Sequence, residues 1–173
     1  RSLKKQHTIR ILKYMKTPGK TTIHEKATIR DLRDGDVGKL LEMYRRFQPE
    51  SYMLGVPPSI DPLCIRWINN LVKEQINVIA LFNEKLVGHA AVIDVPGGDF
   101  CELILFVHQD FRGRGIGRKL LSEACRRALR LCKKKIWLLV DSNNTSAIKI
   151  YYAIGFRVAR MCGSAYEMEM EVM

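Results

Sequence analysis

One segment of the chain joins an apolar run to a helical pattern through three closely spaced glycines, and it limits the possible folds more than any other. The apolar run ends at Val107, and Gly113, Gly115 and Gly117 follow at alternate positions. Beyond them, apolar residues recur at the spacing of one helix face. A strand, a glycine loop and a helix in this order bring unpaired backbone N–H groups to the positive end of a helix dipole. This segment therefore predicts an anion site.

Arginines in the same loop narrow the kind of anion. Arg112, Arg114 and Arg118 add positive charge that suits a diphosphate. Two other phosphate loops are excluded by spacing, because the chain has no G-x-x-x-x-G-K-[ST] and Arg118 stands where a dinucleotide-binding loop has its third glycine.

Two motifs resemble those of the GCN5-related N-acetyltransferase (GNAT) family. The first, Arg112-x-x-Gly115-x-Gly117, is similar to the family's R-x-x-G-x-G/A pyrophosphate loop. The second motif begins 27 residues after Gly117, with the spacing N-x-x-A-x-x-x-Y-x-x-x-G-F at Asn144, Ala147, Tyr151, Gly155 and Phe156. The resemblance covers residues 27–173 in the order of the predicted elements.

The resemblance implies an α/β (α+β) GNAT fold, with a mixed, mostly antiparallel, splayed sheet of about seven strands and about four helices. It implies acetyl-CoA as the acetyl donor, and no metal. The backbone of Phe106 and Val107 would bind the pantetheine arm, and Asn144 would hydrogen-bond to it. Tyr151 would lie near the sulfur and protonate the CoA thiolate. The pyrophosphate would be bound by the loop residues Arg112, Gly113, Arg114, Gly115, Ile116, Gly117 and Arg118.

Acetylation of an amine requires that the amine lose a proton. A lysine with a pKa of about 10.4 is neutral at pH 7 in only about one molecule in 2,500, so a base or a desolvating site must assist. Glu102 is the predicted base, because it interrupts an apolar strand and alternates onto the same face as Phe106. His89 and His108 are the alternative bases.

The acceptor is predicted to be a primary amine, with a protein lysine as the first candidate. The segment Tyr44–Tyr52, together with Glu102, resembles acetyltransferase domains that modify a lysine of acyl-CoA synthetases. A small amine or a protein N-terminus is an alternative, and the acidic alternation Glu167, Glu169, Glu171 would suit a cationic acceptor of this kind. A non-catalytic acyl-CoA-binding module with a basic docking tail is the other alternative.

The positive charge of the chain is concentrated at its N-terminus. Residues 1–26 hold eight Lys or Arg and one Glu, whereas residues 27–173 hold 21 basic and 17 acidic residues. We interpret 1–26 as a basic extension and 27–173 as one N-acetyltransferase domain. Nucleic acid is not the expected partner, because the excess charge lies mostly outside the domain. The sequence leaves open whether the protein forms a homodimer.

Apolar runs and cysteine spacing indicate the cellular location of the protein. No apolar run reaches the 18 to 20 residues of a membrane helix, and the five cysteines include no C-x-x-C pair. We therefore expect a cytoplasmic protein that has no membrane-spanning segment, no disulfide and no metal site.

Hydrophobic periodicity gives the order of the elements. Helices are predicted after Asp36, from Asp61, after Gly117 and over 146–153. Strands are predicted over 27–30, 77–82, 86–95, 101–107, 135–140, 156–159 and 166–172.

Overall fold

The computed structural model describes residues 27–48, 57–58, 61–74, 76–131 and 133–172. The basic extension therefore lies outside the described residues. Four helices are α1 (Val37–Arg45), α2 (Asp61–Leu71), α3 (Ile116–Ala128) and α4 (Thr145–Ile154). Seven strands are β1 (Thr28–Asp31), β2 (Ile76–Phe82), β3 (Lys85–Asp94), β4 (Phe100–Val107), β5 (Lys135–Asp141), β6 (Arg157–Cys162) and β7 (Ala165–Glu171).

The strands form one sheet in the order β1-β2-β3-β4-β5-β7-β6. The β4–β5 pair is parallel, and the other neighbouring pairs are antiparallel. The predicted α/β class, the strand number and the helix number are confirmed.

Helices cover both faces of the sheet. The amphipathic helix α3 packs on β2, β3 and β4, and the same hydrophobic cluster includes Tyr151 and Ile154 of α4. On the opposite face, α1 packs against α2 and β3, with Leu40 and Ile68 in the second cluster. Because side chains of a strand alternate between faces, each residue of β4 belongs to one side or the other.

Alternation along β4 separates the core from the predicted site. Cys101 and Leu103 are buried in the cluster beneath α3, whereas Phe106 packs in the cluster beneath α1 and α2. Glu102 shares the face of Phe106. We refer to this side of the sheet as the Glu102 face.

The sheet is splayed between β4 and β5. The two strands pair only at Phe100–Lys135, Cys101–Ile136 and Glu102–Trp137, although both are described over their whole length. The remainder of β4, residues 103–107, has no partner on β5. A gap therefore opens in the middle of the sheet, directly after Glu102. The predicted splay between these two strands is confirmed.

Strand β6 is longer than its predicted span of 156–159. It continues to Cys162 and has an irregularity in its pairing between Val158 and Arg160. Most of its residues are exposed on both faces of the sheet edge, so no hydrophobic alternation in the sequence marks where it ends.

None of the helices in the described ranges has the length and apolar character needed to cross a membrane.

Candidate functional site

A turn of seven residues, Gln109–Gly115, connects β4 to α3, and we refer to it as the glycine turn. It begins with a short 3-10 helix and ends at Gly115, the N-cap of α3. Gly113 and Gly115 have φ angles of 74° and 75°, a left-handed conformation that is uncommon for other residues. A Cβ atom at either position would meet no atom within 4 Å. The backbone is therefore accessible to a ligand.

The N-terminus of α3 lies at the predicted anion site. A glycine cap supplies no side-chain oxygen for the first N–H groups of the helix, and the first turn contains no acidic residue. Ile116 is buried and anchors the helix start. A Cβ atom at Gly117 would lie 3.6 Å from Val107 and 3.8 Å from Ile150, so this turn sits where β4 and α4 meet.

The three arginines of the motif differ in their surroundings. The Arg114 guanidinium lies over the rings of Phe82 and Phe111, 5.6 Å and 5.1 Å from their centroids, and Nη2 donates to the Asp110 carbonyl. Arg118 is exposed on the first turn of α3. Both lie close to the glycine turn.

Arg112 binds the backbone on both sides of the turn. Its Nε donates to the Val107 carbonyl at 3.2 Å, and Nη2 donates to the Gln48 carbonyl at 3.4 Å. Its guanidinium also lies 5.5 Å from the centroid of the Phe47 ring. The motif arginine thus joins the end of β4 to the segment that follows α1.

Strand pairing decides which backbone groups of β4 face the gap. The His108 N–H donates to the Val87 carbonyl at 2.9 Å, and hydrogen-bonded pairs alternate along an antiparallel ladder. Phe106, paired with His89, therefore directs its backbone groups toward β3. Leu105 and Val107 direct theirs toward the gap. Of the two predicted backbone contacts, Val107 thus faces the gap, whereas Phe106 does not.

Glu102 lies at the last pair before the gap opens. Its neighbours across the sheet are Ile93 on β3 and Trp137 on β5. It is half-buried, and this burial raises the pKa of its carboxyl. The indole N–H of Trp137 is buried and has no hydrogen-bond partner among the described residues. Trp137 was not among the predicted site residues, although it pairs with Glu102 across the sheet.

The alternative base His89 is fully buried and bonded at both ring nitrogens. Asn77 Nδ2 donates to the carbonyls of Leu71 and Glu74, each at 2.9 Å. Asn77 Oδ1 therefore accepts from His89 Nε2 at 2.9 Å, and His89 Nδ1 accepts from the Tyr44 hydroxyl at 2.7 Å. Burial lowers the pKa of His89 to about 3. This chain of bonds gives His89 a structural role.

The other alternative base, His108, supports the glycine turn. It is 3% exposed, its Nδ1 accepts from the Asp110 N–H at 3.4 Å, and its ring lies edge-on to Phe111. Burial lowers the pKa of its imidazole. Of the three predicted bases, Glu102 is consequently the best placed to accept a proton from an amine in the gap.

Burial of neutral His89 is expected to make the fold less stable in acid. The unfolded chain takes up a proton below a pKa of about 6.5, whereas the folded chain does so only near 3. The free energy of unfolding should fall as pH drops through this window, by about 2 kcal/mol between pH 6.5 and 5. Urea unfolding at a series of pH values measures this. In His89→Gln, which keeps a donor and an acceptor, the slope should be smaller by about one proton, and an unchanged slope would contradict the assignment.

The second sequence motif forms α4 and its caps. Asn144 is the N-cap, and its Oδ1 accepts from the Ala147 N–H at 3.1 Å. Tyr151 is buried and packs against Phe156, with ring centroids 5.7 Å apart. Burial raises the pKa of its phenol. Gly155 ends the helix at φ 127°, so part of this motif has a structural explanation.

Aromatic residues gather on the Glu102 face. The Tyr44 ring lies edge-on to Trp67 and Phe106, with centroids 5.1 Å and 5.4 Å away. Phe47 lies edge-on to Phe106 at 5.4 Å. The first part of the predicted acceptor segment, Tyr44–Gln48, thus contacts β4, and its remainder to Tyr52 is outside the described residues.

Two of the three glutamates of the acidic alternation on β7 are engaged in ion pairs. Glu169 pairs with Lys135 at 2.9 Å, and Glu167 pairs with Arg160 at 2.8 Å. These pairs offset the negative charge that would attract a cationic acceptor. Among the described residues, no group of three or more His, Cys, Asp or Glu could hold a metal ion.

Comparison with known proteins identifies the family of the chain. A sequence model of the Acetyltransferase (GNAT) family matches residues 39–156. The chain therefore belongs to the GNAT acetyltransferase family. That family consists of acetyltransferases.

Two curated relatives match over shorter segments. One is the mycothiol acetyltransferase of Corynebacterium aurimucosum, 37% identical over 51 residues, which are 30% of this chain and 17% of that protein. The other is the L-methionine sulfoximine/L-methionine sulfone acetyltransferase of Salmonella typhimurium, 35% identical over 54 residues, 31% of this chain and 32% of that protein. The chain thus spans a third or less of each of these relatives.

Solved structures share the fold. The PaiA N-acetyltransferase of Thermoplasma acidophilum, in complex with coenzyme A, superposes with a TM-score of 0.66 at 20% sequence identity. The match covers 84% of this chain and 99% of that one.

Proposed function

We propose that this protein transfers the acetyl group of acetyl-CoA to a primary amine held beside Glu102. The observation that carries the proposal is the gap between β4 and β5, which opens directly after Glu102 and ends at the glycine turn. A thioester arm in the gap and a pyrophosphate at the turn would together place a reacting carbonyl near Glu102.

Residues of β4, the glycine turn and α4 would bind the donor. The Leu105 carbonyl and the Val107 N–H, which face the gap, would pair with the amides of the pantetheine arm, as a neighbouring strand would. The N–H groups at Gly113, Gly115 and the start of α3 would bind the pyrophosphate. Asn144 uses its Oδ1 for the cap bond of α4. Its Nδ2 would therefore be the group that donates a hydrogen bond to the pantetheine arm.

Glu102 would act as the general base. Bound acetyl-CoA supplies an activated acetyl thioester, but a protonated amine cannot attack it. Glu102 would accept the proton from the amine, directly or through water, as the new N–C bond forms and the C–S bond breaks. Its raised pKa brings it closer to that of the amine, which favours the transfer. The N–H of Leu105 faces the gap nearer to Glu102 and would stabilise the oxyanion.

Tyr151 would assist the leaving thiolate through a hydrogen bond. Its phenol keeps its proton at neutral pH, since the ordinary pKa of a tyrosine is about 10 and burial raises the pKa of Tyr151 further. A CoA thiol, with an ordinary pKa of about 8.5, is a stronger acid than this phenol. Tyr151 would therefore stabilise the thiolate by donating a hydrogen bond, and water would supply the proton in the end.

The finer proposal is that the amine is a protein lysine. It is supported by the resemblance of the Tyr44–Tyr52 segment and by the contact of its first residues with Phe106. The second candidate is a small amine, which the names of the two curated relatives favour. The cytoplasmic location, the homodimer and the domain boundary at residue 26 stay predictions.

Release of CoA thiol from acetyl-CoA tests the reaction and its acceptor together. The purified protein would be given a folded acyl-CoA synthetase in one series and a panel of small amines, including methionine sulfoximine, in another. We expect release with the synthetase and a modified lysine in its mass spectrum. Release with small amines alone would replace the lysine proposal with the second candidate. CoA binding without release in either series would indicate a non-catalytic module.

A further inference from the structure

The C-terminal end of α1 is bonded to the glycine turn by side chains of that turn. The last carbonyls of a helix lack partners within the helix and need donors from elsewhere. Here one such donor comes from Gln109, 63 residues away in sequence. This connection joins two regions that the proposed function assigns to different substrates.

Gln109 satisfies two backbone groups at once. Its Nε2 donates to the Arg46 carbonyl at 2.9 Å, and its Oε1 accepts from the Gln48 N–H at 3.1 Å. Because one bond needs a donor and the other an acceptor, the pair fixes the orientation of the amide. Gln109 thus closes the end of α1 in the way that a local cap would.

Arg112 adds a second connection from the same turn. Its Nη2 donates to the Gln48 carbonyl, while its Nε holds the Val107 carbonyl. Between these contacts the guanidinium lies over Phe47, whose ring in turn meets Phe106 edge-on. Both backbone groups of Gln48 are therefore held by side chains of the glycine turn.

The end of α1 carries aromatic residues of the Glu102 face. Tyr44 and Phe47 both contact Phe106, and Tyr44 is fixed from below by its bond to His89. A shift of the segment Tyr44–Gln48 would therefore move the aromatic residues that contact Phe106 on the Glu102 face. Its position depends on the glycine turn through Gln109 and Arg112.

We propose that Gln109 is a positioning residue, which couples donor binding at the glycine turn to order in residues 44–48 on the Glu102 face. The inference rests on the proposed function. A pyrophosphate bound to the turn amides would restrict the turn, and Gln109 would then hold the end of α1 more firmly. By linkage, an acceptor that orders the end of α1 would increase donor affinity by the same factor.

Hydrogen exchange with and without CoA tests this coupling in the full chain. In the wild type, saturating CoA should slow exchange in a peptide covering residues 44–48, on the order of tenfold at the Gln48 amide. In Gln109→Ala, CoA should still bind with an affinity near that of the wild type, but the slowing should be lost. Gln48→Ala is the matched control, because it removes a neighbouring side chain and keeps the backbone groups that Gln109 binds.

The outcomes separate the inference from the proposed function. Equal slowing by CoA in the wild type and Gln109→Ala, or no slowing in the wild type despite CoA binding, would overturn the coupling and leave the proposed function standing. Failure of the wild type to bind CoA would overturn both. Gln109→Glu is the second variant if Gln109→Ala unfolds; it keeps the acceptor for Gln48 and places a carboxylate oxygen against the Arg46 carbonyl, so it should also lose the slowing.

Discussion

Replacing Glu102 with glutamine is expected to lower kcat/KM for the amine by about 10²- to 10⁴-fold, the usual contribution of a general base. Glutamine has nearly the same shape and cannot accept the proton, so the affinity for CoA should stay near that of the wild type. Steady-state kinetics with the acceptor found by the thiol-release assay, together with a CoA titration, measures both quantities.

The pH dependence adds a second readout for Glu102. The base is the carboxylate form, so the rate should rise as pH increases through its pKa, which burial raises above that of an exposed glutamate. In Glu102→Gln this acid limb should disappear. Glu171→Gln is the matched control, because Glu171 is an exposed residue at the end of β7 and should retain the wild-type profile. A wild-type rate in Glu102→Gln would remove Glu102 from the mechanism.

Replacing Gly115 with aspartate is expected to reduce affinity for CoA by about 100-fold or more. A side chain at this position points into open space at the start of α3, where the pyrophosphate is proposed to bind. Two unit charges about 4 Å apart near a protein surface interact by about 4 kcal/mol, so a carboxylate there would repel the ligand strongly. Calorimetric titration with CoA measures the loss.

Gly115→Asn separates charge from shape in this experiment. Asparagine and aspartate are similar in size, and both tolerate the left-handed conformation better than other side chains. Thermal unfolding should therefore be similar for the two variants, whereas the loss of CoA affinity should be much smaller for asparagine. Equal losses of CoA affinity in the two variants would show that the size of the side chain, rather than its negative charge, accounts for the effect.

The elements that bury one face were predictable from the sequence. In α3, apolar residues at helical spacing face the core under β2, β3 and β4, so periodicity alone locates the helix. Turns that contain Asn, or Pro and Gly, separate β2 from β3 and β3 from β4, which predicts three consecutive antiparallel strands. Strand β6 differs, because its exposed residues leave no hydrophobic period to read.

Side-chain partners at the site were less predictable than its location. The motif Arg112-x-x-Gly115-x-Gly117 located the glycine turn, yet nothing in it indicates that Arg112 binds the carbonyls of Val107 and Gln48. Those bonds depend on how α1 packs against the turn, which is a tertiary property. Gln109 was missed for the same reason.

Pairing register explains the remaining difference. From sequence, alternation predicted which side chains of β4 share a face, but backbone groups point within the sheet, and their direction depends on which residues form hydrogen-bonded pairs with β3. Once His108 is paired with Val87, Leu105 and Val107 must face the gap. The register depends on the exact length of the turn between β3 and β4. Short-range sequence patterns do not predict that length to a single residue.

The gap between β4 and β5 also has a consequence for solubility. Beyond Glu102, part of β4 is a strand edge inside the sheet, and exposed strand edges are sites where protein chains aggregate. A barrel removes such edges by closing, whereas this sheet keeps one open for a ligand. If the pantetheine arm pairs with Leu105 and Val107 as proposed, the donor covers this edge each time it binds. Acetyl-CoA would then protect the protein from self-association as well as serve as its substrate.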